Sequence, residues 1–229
     1  MKIVVLTGAG ISAESGIPTF RDNNGLWEGY SAMEVASPEG WNSNPKLVLD
    51  FYNERRKNAL SASPNLGHKI LADLEKHFEV CIITQNIDNL HERAGSSTVI
   101  HLHGELFKVR STVDETSIYD LTGWELNLGD LCDKGSQLRP HVVWFGEPVP
   151  MMDLAIREVL TTDIFVVVGT SLAVYPAAGL IHYVSQATPK FIIDPKIPEL
   201  PKIPNLHFIE KIGSEGLLEL QQHLLDTFK

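Results

Sequence analysis

The chain has 229 residues, of which 43% are hydrophobic and 21% are charged. This composition is typical of a globular protein with a substantial core, and it excludes disorder over the whole chain. The formal net charge is −10 because 29 acidic residues outnumber 19 basic ones, which argues against a protein that binds nucleic acid through its phosphates. Two cysteines, Cys81 and Cys132, are too few for a disulfide scaffold or a four-cysteine zinc site.

Neither a signal peptide nor a membrane helix is predicted. The apolar start at residues 3–6 is followed directly by Gly8, Ala9 and Gly10, which is not the pattern of a signal peptide. The longest apolar runs, such as residues 164–168, are far shorter than the ~20 residues of a membrane span. We therefore expect a soluble, cytoplasmic protein without a membrane partner. Because no long apolar surface pattern stands out, we also expect a monomer.

Five short runs rich in Ile and Val are predicted to be buried β-strands. They occupy residues 1–7, 80–84, 99–102, 164–168 and 190–193. Nearly continuous apolar runs of this length suit a parallel sheet that is covered on both faces. Apolar residues at helical spacing predict helices between them, at residues 45–60, 66–77, 152–160 and 177–187. This alternation predicts an α/β fold with a doubly wound, Rossmann-like parallel sheet.

Two segments interrupt the alternation. Residues 18–44 are rich in Gly, Pro, Asn and Ser, and residues 108–138 are polar without a clear period. We predict that these two segments form a small insertion domain. The Rossmann-like domain would then consist of residues 1–17, 45–107 and 139–229. Ligands of open α/β sheets bind beyond the carboxyl ends of the strands, so the small domain would form a wall of the binding crevice.

The first predicted strand runs into a glycine-rich loop. Residues 8–13 read GAGISA, which fits the pattern G-x-G-x-x-G/A of dinucleotide-binding loops. In that pattern Gly8 allows the tight turn, Gly10 lets the backbone approach a pyrophosphate, and Ala13 permits close helix packing. A structural glycine turn is the alternative. A dehydrogenase would also need an acidic residue ~20 residues later, after a second strand, but residues 16–22 read as a loop. The sequence therefore favours a nucleotide site and gives no support to hydride transfer.

Four segments carry a resemblance to a known family. Residues 8–21 read GAGISAESGIPTFR, residues 84–88 read TQNID, residues 103–106 read HGEL, and residues 169–171 read GTS. In this order they resemble the sirtuins, which are NAD-dependent protein-lysine deacylases, and the resemblance extends over nearly the whole chain. It implies that NAD is the cofactor and that acylated lysine side chains of proteins are the substrate. The acyl oxygen would attack the ribose carbon as nicotinamide leaves, and a general base would then assist a ribose hydroxyl. The products would be free lysine, nicotinamide and acyl-ADP-ribose.

The resemblance also implies roles for single residues. His103, which precedes a glycine, matches the catalytic histidine, and an imidazole can exchange a proton near neutral pH. His101 lies on the same strand face, so only the motif selects His103; His68 is expected to be structural. Asn86 and Asp88 match the catalytic pair that orients nicotinamide. The other matched positions are expected to contact NAD: Gly8, Ala9, Gly10, Ser12, Ala13, Phe20, Arg21, Gln85, Ile87, Gly169, Thr170, Ser171 and Asp194.

Residues 143–147, which read VWFGE, resemble the strand that pairs with the substrate backbone. Val143, Phe145, Gly146 and Glu147 are therefore expected to bind an extended peptide. Pairing of this kind depends on main-chain hydrogen bonds and selects little among side chains. The sequence accordingly does not identify the target proteins.

A Y-x-x-R pattern suggests which acyl group is removed. Tyr52 and Arg55 share one face of a predicted helix, and a hydroxyl with a forked cation suits a carboxylate. In one subgroup of sirtuins this pair recognises succinyl-lysine or malonyl-lysine, and Ala36 matches the small residue that widens the pocket. The alternative is an ordinary surface helix with Arg55 in a salt bridge.

The small domain departs from the family pattern. Most sirtuins hold a structural zinc ion with four cysteines there, whereas residues 108–138 contain only Cys132, and Ser111 stands where the first cysteine is expected. One thiolate cannot form a closed tetrahedral site. We therefore predict no metal, and we expect this domain to be the least stable part of the chain.

Three functions remain compatible with the sequence. The leading one is an NAD-dependent deacylase that removes acetyl, succinyl and malonyl groups. A protein ADP-ribosyltransferase would use the same NAD site, and an NAD-sensing module would have little activity. The presence of Asn86, Asp88 and His103 argues against the last of these.

Overall fold

The computed structural model describes residues 1–19, 26–27 and 29–228. The strands are β1 (Lys2–Thr7), β2 (Leu26–Trp27), β3 (Tyr30–Ser31), β4 (Glu79–Thr84), β5 (Val99–His101), β6 (Gly104–Ser111), β7 (Ile118–Asp120), β8 (Leu138–Val142), β9 (Ile164–Val168), β10 (Lys190–Ile193) and β11 (Leu206–Ile209). The helices are α1 (Gly10–Ala13), α2 (Ala32–Val35), α3 (Pro38–Ser43), α4 (Pro45–Ser61), α5 (Leu66–Leu74), α6 (Leu90–Ala94), α7 (Met152–Leu160) and α8 (Gly213–Phe228). A 3₁₀ segment occupies Ala177–Tyr183.

Six parallel strands form the main sheet, in the order β11-β10-β9-β1-β4-β5. After β1 the chain builds β4 and β5 on one side, and it later builds β9, β10 and β11 on the other. The direction of strand addition therefore reverses next to β1, and such a switch point is where open α/β sheets bind ligands. The predicted doubly wound α/β fold is confirmed.

Both faces of this sheet are covered, which explains why its strands read as unbroken apolar runs. On one face, alternate residues of the central strands pack against α5 and α8, with Leu71 and Leu217 fully buried. On the other face, the remaining residues pack against α7 and the 3₁₀ segment, with Ala155 and Leu180 fully buried. No helix in the described ranges is both long and apolar enough to span a membrane.

A second, antiparallel sheet has the strand order β7-β6-β8. Helix α4 packs beside it, because buried residues of α4, including Val48 and Tyr52, share one apolar cluster with Leu106, Val142 and Trp144. Strand β6 continues across the predicted domain boundary at residues 107–108. The exact division into two domains stays a prediction.

The structure differs from the predicted elements in several places. Helix α5 ends at Leu74, three residues before the predicted end, because turns lead directly into β4. Residues 177–187 were predicted to be a helix but contain only the 3₁₀ segment, and Gly179, a poor helix former, lies within it. Strand β11 and helix α8 were not predicted.

Candidate functional site

The candidate residues lie at the carboxyl edge of the main sheet, where loops leave neighbouring strands. The amide of Gly8 donates to Val168 O at 3.0 Å, and the amide of Gln85 donates to Thr7 O at 2.9 Å. Each loop thus begins with a hydrogen bond to the strand beside it. This arrangement fixes the glycine-rich loop after β1, the loop after β4 and the loop after β9 next to one another.

The two glycine-rich loops are in direct contact. The Gly10 amide donates to Gly169 O at 2.9 Å, and a Cβ on Gly10 would lie 2.6 Å from the Cα of Gly169. A Cβ on Gly8 would lie 2.7 Å from the Cβ of Thr170, and Gly169 itself has φ +63°. These glycines are therefore required by loop-to-loop packing. Gly10 and Gly169 are partly exposed beside this contact, and their role in holding a pyrophosphate stays a prediction.

Ala13 does not have its predicted environment. It is exposed, whereas the dinucleotide-binding pattern places this residue in close helix packing. The reason is that α1 is only four residues long and ends at Ala13. The chain then turns, with Gly16 at φ +85°. Phe20 and Arg21, which were also expected to contact NAD, lie outside the described residues.

Ser12 links the glycine-rich loop to the pair expected to hold nicotinamide. Its hydroxyl donates to Asp88 Oδ2 at 3.1 Å and accepts from Asn86 Nδ2 at 3.1 Å. Asn86 Nδ2 also lies 3.2 Å from Gly8 O. Burial raises the pKa of Asp88, while the Leu90 amide and Ser12 oppose that shift. The structure thus brings Ser12, Asn86 and Asp88 into one buried cluster of donors and acceptors, which can complement both ends of a carboxamide.

Two buried histidines lie behind Ser12, and sequence reasoning did not assign either of them to the site. His68 Nε2 is 3.5 Å from Ser12 Oγ, and the His68 and His91 rings are 4.9 Å apart. His91 Nε2 in turn contacts Thr7 Oγ1 at 3.1 Å. Burial lowers the pKa of His68 to about 4 and that of His91 well below its usual value. Both rings are therefore neutral under physiological conditions. The sequence pattern alone contains no signal for this pairing.

His103 is oriented as a neutral base. Its Nδ1 lies 3.0 Å from Gln85 O, and because a carbonyl only accepts, Nδ1 carries a proton; in the neutral ring Nε2 is then unprotonated. Burial lowers the pKa of His103, and the bond to Gln85 only partly opposes that shift. Gly104 must follow, because its φ is +82° and a Cβ there would lie 2.2 Å from His141 O.

The remaining predicted NAD contacts flank these groups. Gln85 Nε2 donates to Thr170 Oγ1 at 3.1 Å, so the loops after β4 and β9 are joined by side chains as well. Ile87 O accepts from the Leu106 amide at 2.7 Å, which ties this segment to β6. Asp194, directly after β10, is 4% exposed and accepts from the Lys196 amide. Ala9 and Ser171 complete the two glycine-rich loops.

The Tyr52 side chain is fully buried, and its hydroxyl accepts from Trp144 Nε1 at 3.0 Å. Burial raises the pKa of Tyr52 to about 12, although the charges of Arg55, Arg139 and Arg56 oppose that shift. The hydroxyl therefore keeps its proton at any physiological pH and remains a hydrogen-bond donor. Arg55 is half-buried, so a cation lies on the same helix within electrostatic reach of this donor.

Residues 143–147 do not form the predicted strand. Strand β8 ends at Val142, and the chain turns at Gly146, which has φ +90°. The physical reason is that the amides of the segment are already used inside the protein. Val143 N donates to His103 O and Phe145 N donates to Ala36 O, both at 2.9 Å. The turn therefore brings the predicted peptide segment next to both the candidate base and the candidate acyl pocket.

The carboxylate of Glu147 is held by the protein itself. Arg139 Nη1 lies 2.7 Å from Oε1, Arg110 Nη2 lies 3.1 Å from the same oxygen, and the Trp144 amide donates to Oε2 at 2.8 Å. The Arg139 guanidinium also stacks 3.3 Å from the centroid of a Trp144 ring. Glu147 thus shapes the turn through its carboxylate, and the expected pairing of its main chain with a peptide stays a prediction.

The segment in which most sirtuins hold zinc contains a cluster of hydroxyls and one thiol in this chain. Ser136 Oγ contacts Ser111 Oγ at 2.8 Å and Cys132 Sγ at 3.0 Å. The amides of Val113 and Asp114 both donate to Ser111 Oγ at 3.2 Å. Across residues 1–19, 26–27 and 29–228, no three His, Cys, Asp or Glu side chains are grouped as metal ligands. One thiol and two hydroxyls do not fit zinc. Hydrogen bonds connect the segment at Ser111 to the segment at Cys132 and Ser136 instead.

Comparison with known proteins identifies the family. The sequence model of the Sir2 family matches residues 8–176, which is well over half of the chain. The chain belongs to the Sir2 family. It is 53% identical over 229 residues to an NAD-dependent protein deacylase of Bacteroides thetaiotaomicron, with 98% of each chain covered.

Solved structures of Sir2 proteins share this fold over the whole molecule. A complex of a Sir2 homologue with NAD superposes with a TM-score of 0.89 at 41% identity, covering 100% of this chain and 91% of the other. A Sir2 protein with a deacetylated peptide and 3′-O-acetyl ADP ribose has a TM-score of 0.80 at 34% identity, covering 96% and 92%.

Proposed function

We propose that this Sir2-family chain, an NAD-dependent protein deacylase, removes succinyl and malonyl groups from lysine as well as acetyl groups. The proposal is supported by two main-chain hydrogen bonds that connect the candidate base to the candidate acyl pocket. The neutral His103 bonds Val143 through its carbonyl, and Phe145 of the same turn bonds Ala36 beside the Tyr52 pocket. The candidate base and the candidate acyl pocket are therefore joined by a single turn of chain.

We assign the nucleotide to the contacting glycine-rich loops and the buried cluster behind them. When bound, NAD supplies the ribose carbon that accepts the acyl oxygen and the nicotinamide that leaves. The backbone around Gly8, Gly10 and Gly169 would hold the pyrophosphate, and Asn86 and Asp88 would hold the carboxamide. Both of these side chains are already restrained by Ser12, so little ordering is needed when the ligand binds.

His103 is assigned the role of general base. Its Nε2 is unprotonated, so it can take a proton from a ribose hydroxyl. Because its pKa is lowered by burial, the ring is ready to accept a proton at pH 7. The bond from Nδ1 to Gln85 O also stabilises the protonated ring that forms, since Nδ1 remains a donor throughout.

The preference for acidic acyl groups follows from the charge around Tyr52. The hydroxyl is a permanent donor, and three guanidinium groups act on it. Charge-assisted hydrogen bonds from a donor and an arginine are the strong interactions available to a terminal carboxylate. Acetyl-lysine has no such carboxylate and would need only the apolar part of the pocket around Ala36 and Phe51.

The reaction is tested by incubating the protein with NAD and matched acetyl-lysine or succinyl-lysine peptides. Peptide mass and free nicotinamide are measured together. Deacylated peptide with an equal amount of nicotinamide is the expected result. A peptide that gains the mass of ADP-ribose would instead indicate ADP-ribosyl transfer, and absence of turnover with both peptides would contradict the proposal.

The acyl pocket is tested by the double variant Tyr52→Phe with Arg55→Met. We expect kcat/KM for the succinyl peptide to fall by at least about a hundredfold, because two hydrogen-bond partners of a carboxylate are lost at roughly tenfold or more each. Acetyl turnover should change by less than about threefold. The matched control is Tyr119→Phe with Arg157→Met, which makes the same chemical changes at exposed or partly exposed positions away from the pocket. Equal loss for both peptides would refute the pocket assignment.

A further inference from the structure

Both ring nitrogens of His101 face hydrogen-bond acceptors. Nδ1 lies 3.0 Å from Asn86 O, and Nε2 lies 2.7 Å from Glu92 Oε1. A main-chain carbonyl can only accept a hydrogen bond, and an ionised carboxylate can likewise only accept one. Both nitrogens must therefore carry a proton, which makes His101 an imidazolium. Among the described residues, His103 has an acceptor at Nδ1 alone, and burial lowers its pKa, so its ring stays neutral.

The surroundings of His101 agree with this assignment. Burial lowers its pKa, but the bond and charge of Glu92, the carbonyl of Asn86 and the charge of Glu105 together raise it above the usual value. Burial likewise raises the pKa of Glu92, yet the bond and charge of His101 bring it below the usual value, with help from Lys108. The shifts of the two partners thus have a common cause, and each partner favours the charged form of the other.

The cation acts directly on the segment expected to hold nicotinamide. Its Nδ1 proton fixes the carbonyl of Asn86, and its charge lowers the pKa of Asp88 against the effect of burial. Burial is the main cause of the lowered pKa of His91 on α6, and the charge of His101 acts in the same direction. The charge of Glu92 acts on Asp88 in the opposite direction, and the charge of His101 counteracts it.

We propose that Glu92 and His101 form an ion pair that positions residues 86–88 for the nicotinamide carboxamide. His101 is in this view a positioning residue, since it acts through Asn86 and Asp88. The two histidines differ in their contacts: His101 has an acceptor at each ring nitrogen, whereas His103 contacts Gln85 O through Nδ1. The inference rests on the proposed role of Asn86 and Asp88.

The protonation state is measured directly by a pH titration of the imidazole nitrogens with long-range ¹H–¹⁵N spectra, in which His101→Gln identifies the signal. We expect His101 to stay doubly protonated at pH 7 in the unmodified protein. Glu92→Gln keeps the size of the side chain but removes its charge, and it should lower the midpoint by at least about one pH unit. Glu105→Gln is the control that removes a carboxylate without a bond to the ring, and it should shift the midpoint less. A neutral His101 at pH 7 in the unmodified protein would overturn the proposal, whatever the activity.

The positioning role is measured by the response to nicotinamide. Glu92→Gln should raise the KM for NAD and the inhibition constant of nicotinamide by about tenfold, the loss typical of one charge-assisted interaction. In contrast, kcat at saturating NAD should change by less than about threefold, because His103 is untouched. If the midpoint of His101 falls but both nicotinamide-dependent constants are unchanged, the pair does not position the segment. Failure of the proposed function would look different, because the unmodified protein itself would then release no nicotinamide.

Discussion

The carboxylate of Glu147 offers the sharpest test of how the turn at residues 143–147 is built. It joins two buried arginines, Arg110 and Arg139, to the amide of Trp144, and the side chains of the arginines and Glu147 are 8%, 11% and 15% exposed. The variant Glu147→Gln keeps the shape but replaces one charged oxygen by an amide donor. That donor would face either a guanidinium or the Trp144 amide, so at least one buried donor would lose its acceptor.

The size of the effect follows from this burial. Breaking a buried ion pair by removing one partner costs about 3–5 kcal/mol, and we take about 3 kcal/mol because Glu147 is not fully buried. For a chain of this size each kcal/mol corresponds to about 2–4 °C in the melting temperature. Glu147→Gln should therefore melt roughly 6–12 °C lower. The KM for a peptide substrate should rise as well, because the turn at residues 143–147 loses its anchor.

Thermal unfolding followed by circular dichroism measures this difference. The control is Asp50→Asn, which removes the charge from an exposed pair with Lys46 whose side chains are 55% and 70% exposed; it should shift the melting temperature by less than about 2 °C. Burial raises the pKa of Glu147, but its bonds from Arg139 and the Trp144 amide bring it below the ordinary 4.5. The stabilisation is therefore present above pH 4.5 and is lost as the pH falls through the lowered value. Equal melting temperatures for the two variants at pH 7 would refute the reasoning.

Three further predictions concern the glycine-rich loops, the base and the small domain. Gly10→Ala should raise the KM for NAD at least about tenfold and lower the melting temperature, because the new Cβ would lie 2.6 Å from the Cα of Gly169; an unchanged KM in steady-state assays would show that the loops need not touch. Because the pKa of His103 is lowered from 6.5, kcat/KM should stay level down to that pH and fall by a single protonation below it, and a half-maximal rate above pH 6.5 would contradict the neutral-base assignment. A strong chelator should leave the melting curve unchanged, since Cys132 has no other metal ligand grouped with it in the described residues; a stoichiometric metal in the purified protein, found by elemental analysis, would show this prediction to be wrong.

The main sheet was predictable because its strands can be recognised from short, continuous runs of apolar residues. Runs such as Ile164–Val168 are apolar on both faces, and they lie where the sequence places them. The glycine-rich loop was predictable for the same reason, since it directly follows β1. The C-terminal strand β11 was missed because it is an edge strand with only partly buried or exposed residues, among them His207 and Phe208, so it lacks the continuous apolar pattern.

The parts of the site that were missed depend on contacts between distant residues. His68 and His91 are 23 positions apart in the sequence and meet behind Ser12, which no local pattern indicates. Likewise Glu92 and His101 lie on different elements, and their ion pair exists only because α6 packs beside β5. The resemblance to the family selected His103 as the base, which stays a prediction, and the structure places this residue against Gln85 in the loop after β4. The resemblance gave no information on the protonation of its neighbours.

Turnover and NAD binding by His103→Ala test the central claim most directly. Removal of the imidazole should abolish deacylation of acetyl and succinyl peptides alike, whereas calorimetry should show NAD binding within about threefold of the unmodified protein, because the glycine-rich loops and the Ser12 cluster are intact. Appreciable turnover of either peptide by a correctly folded His103→Ala protein would contradict the account, since His103 is the residue assigned as the base.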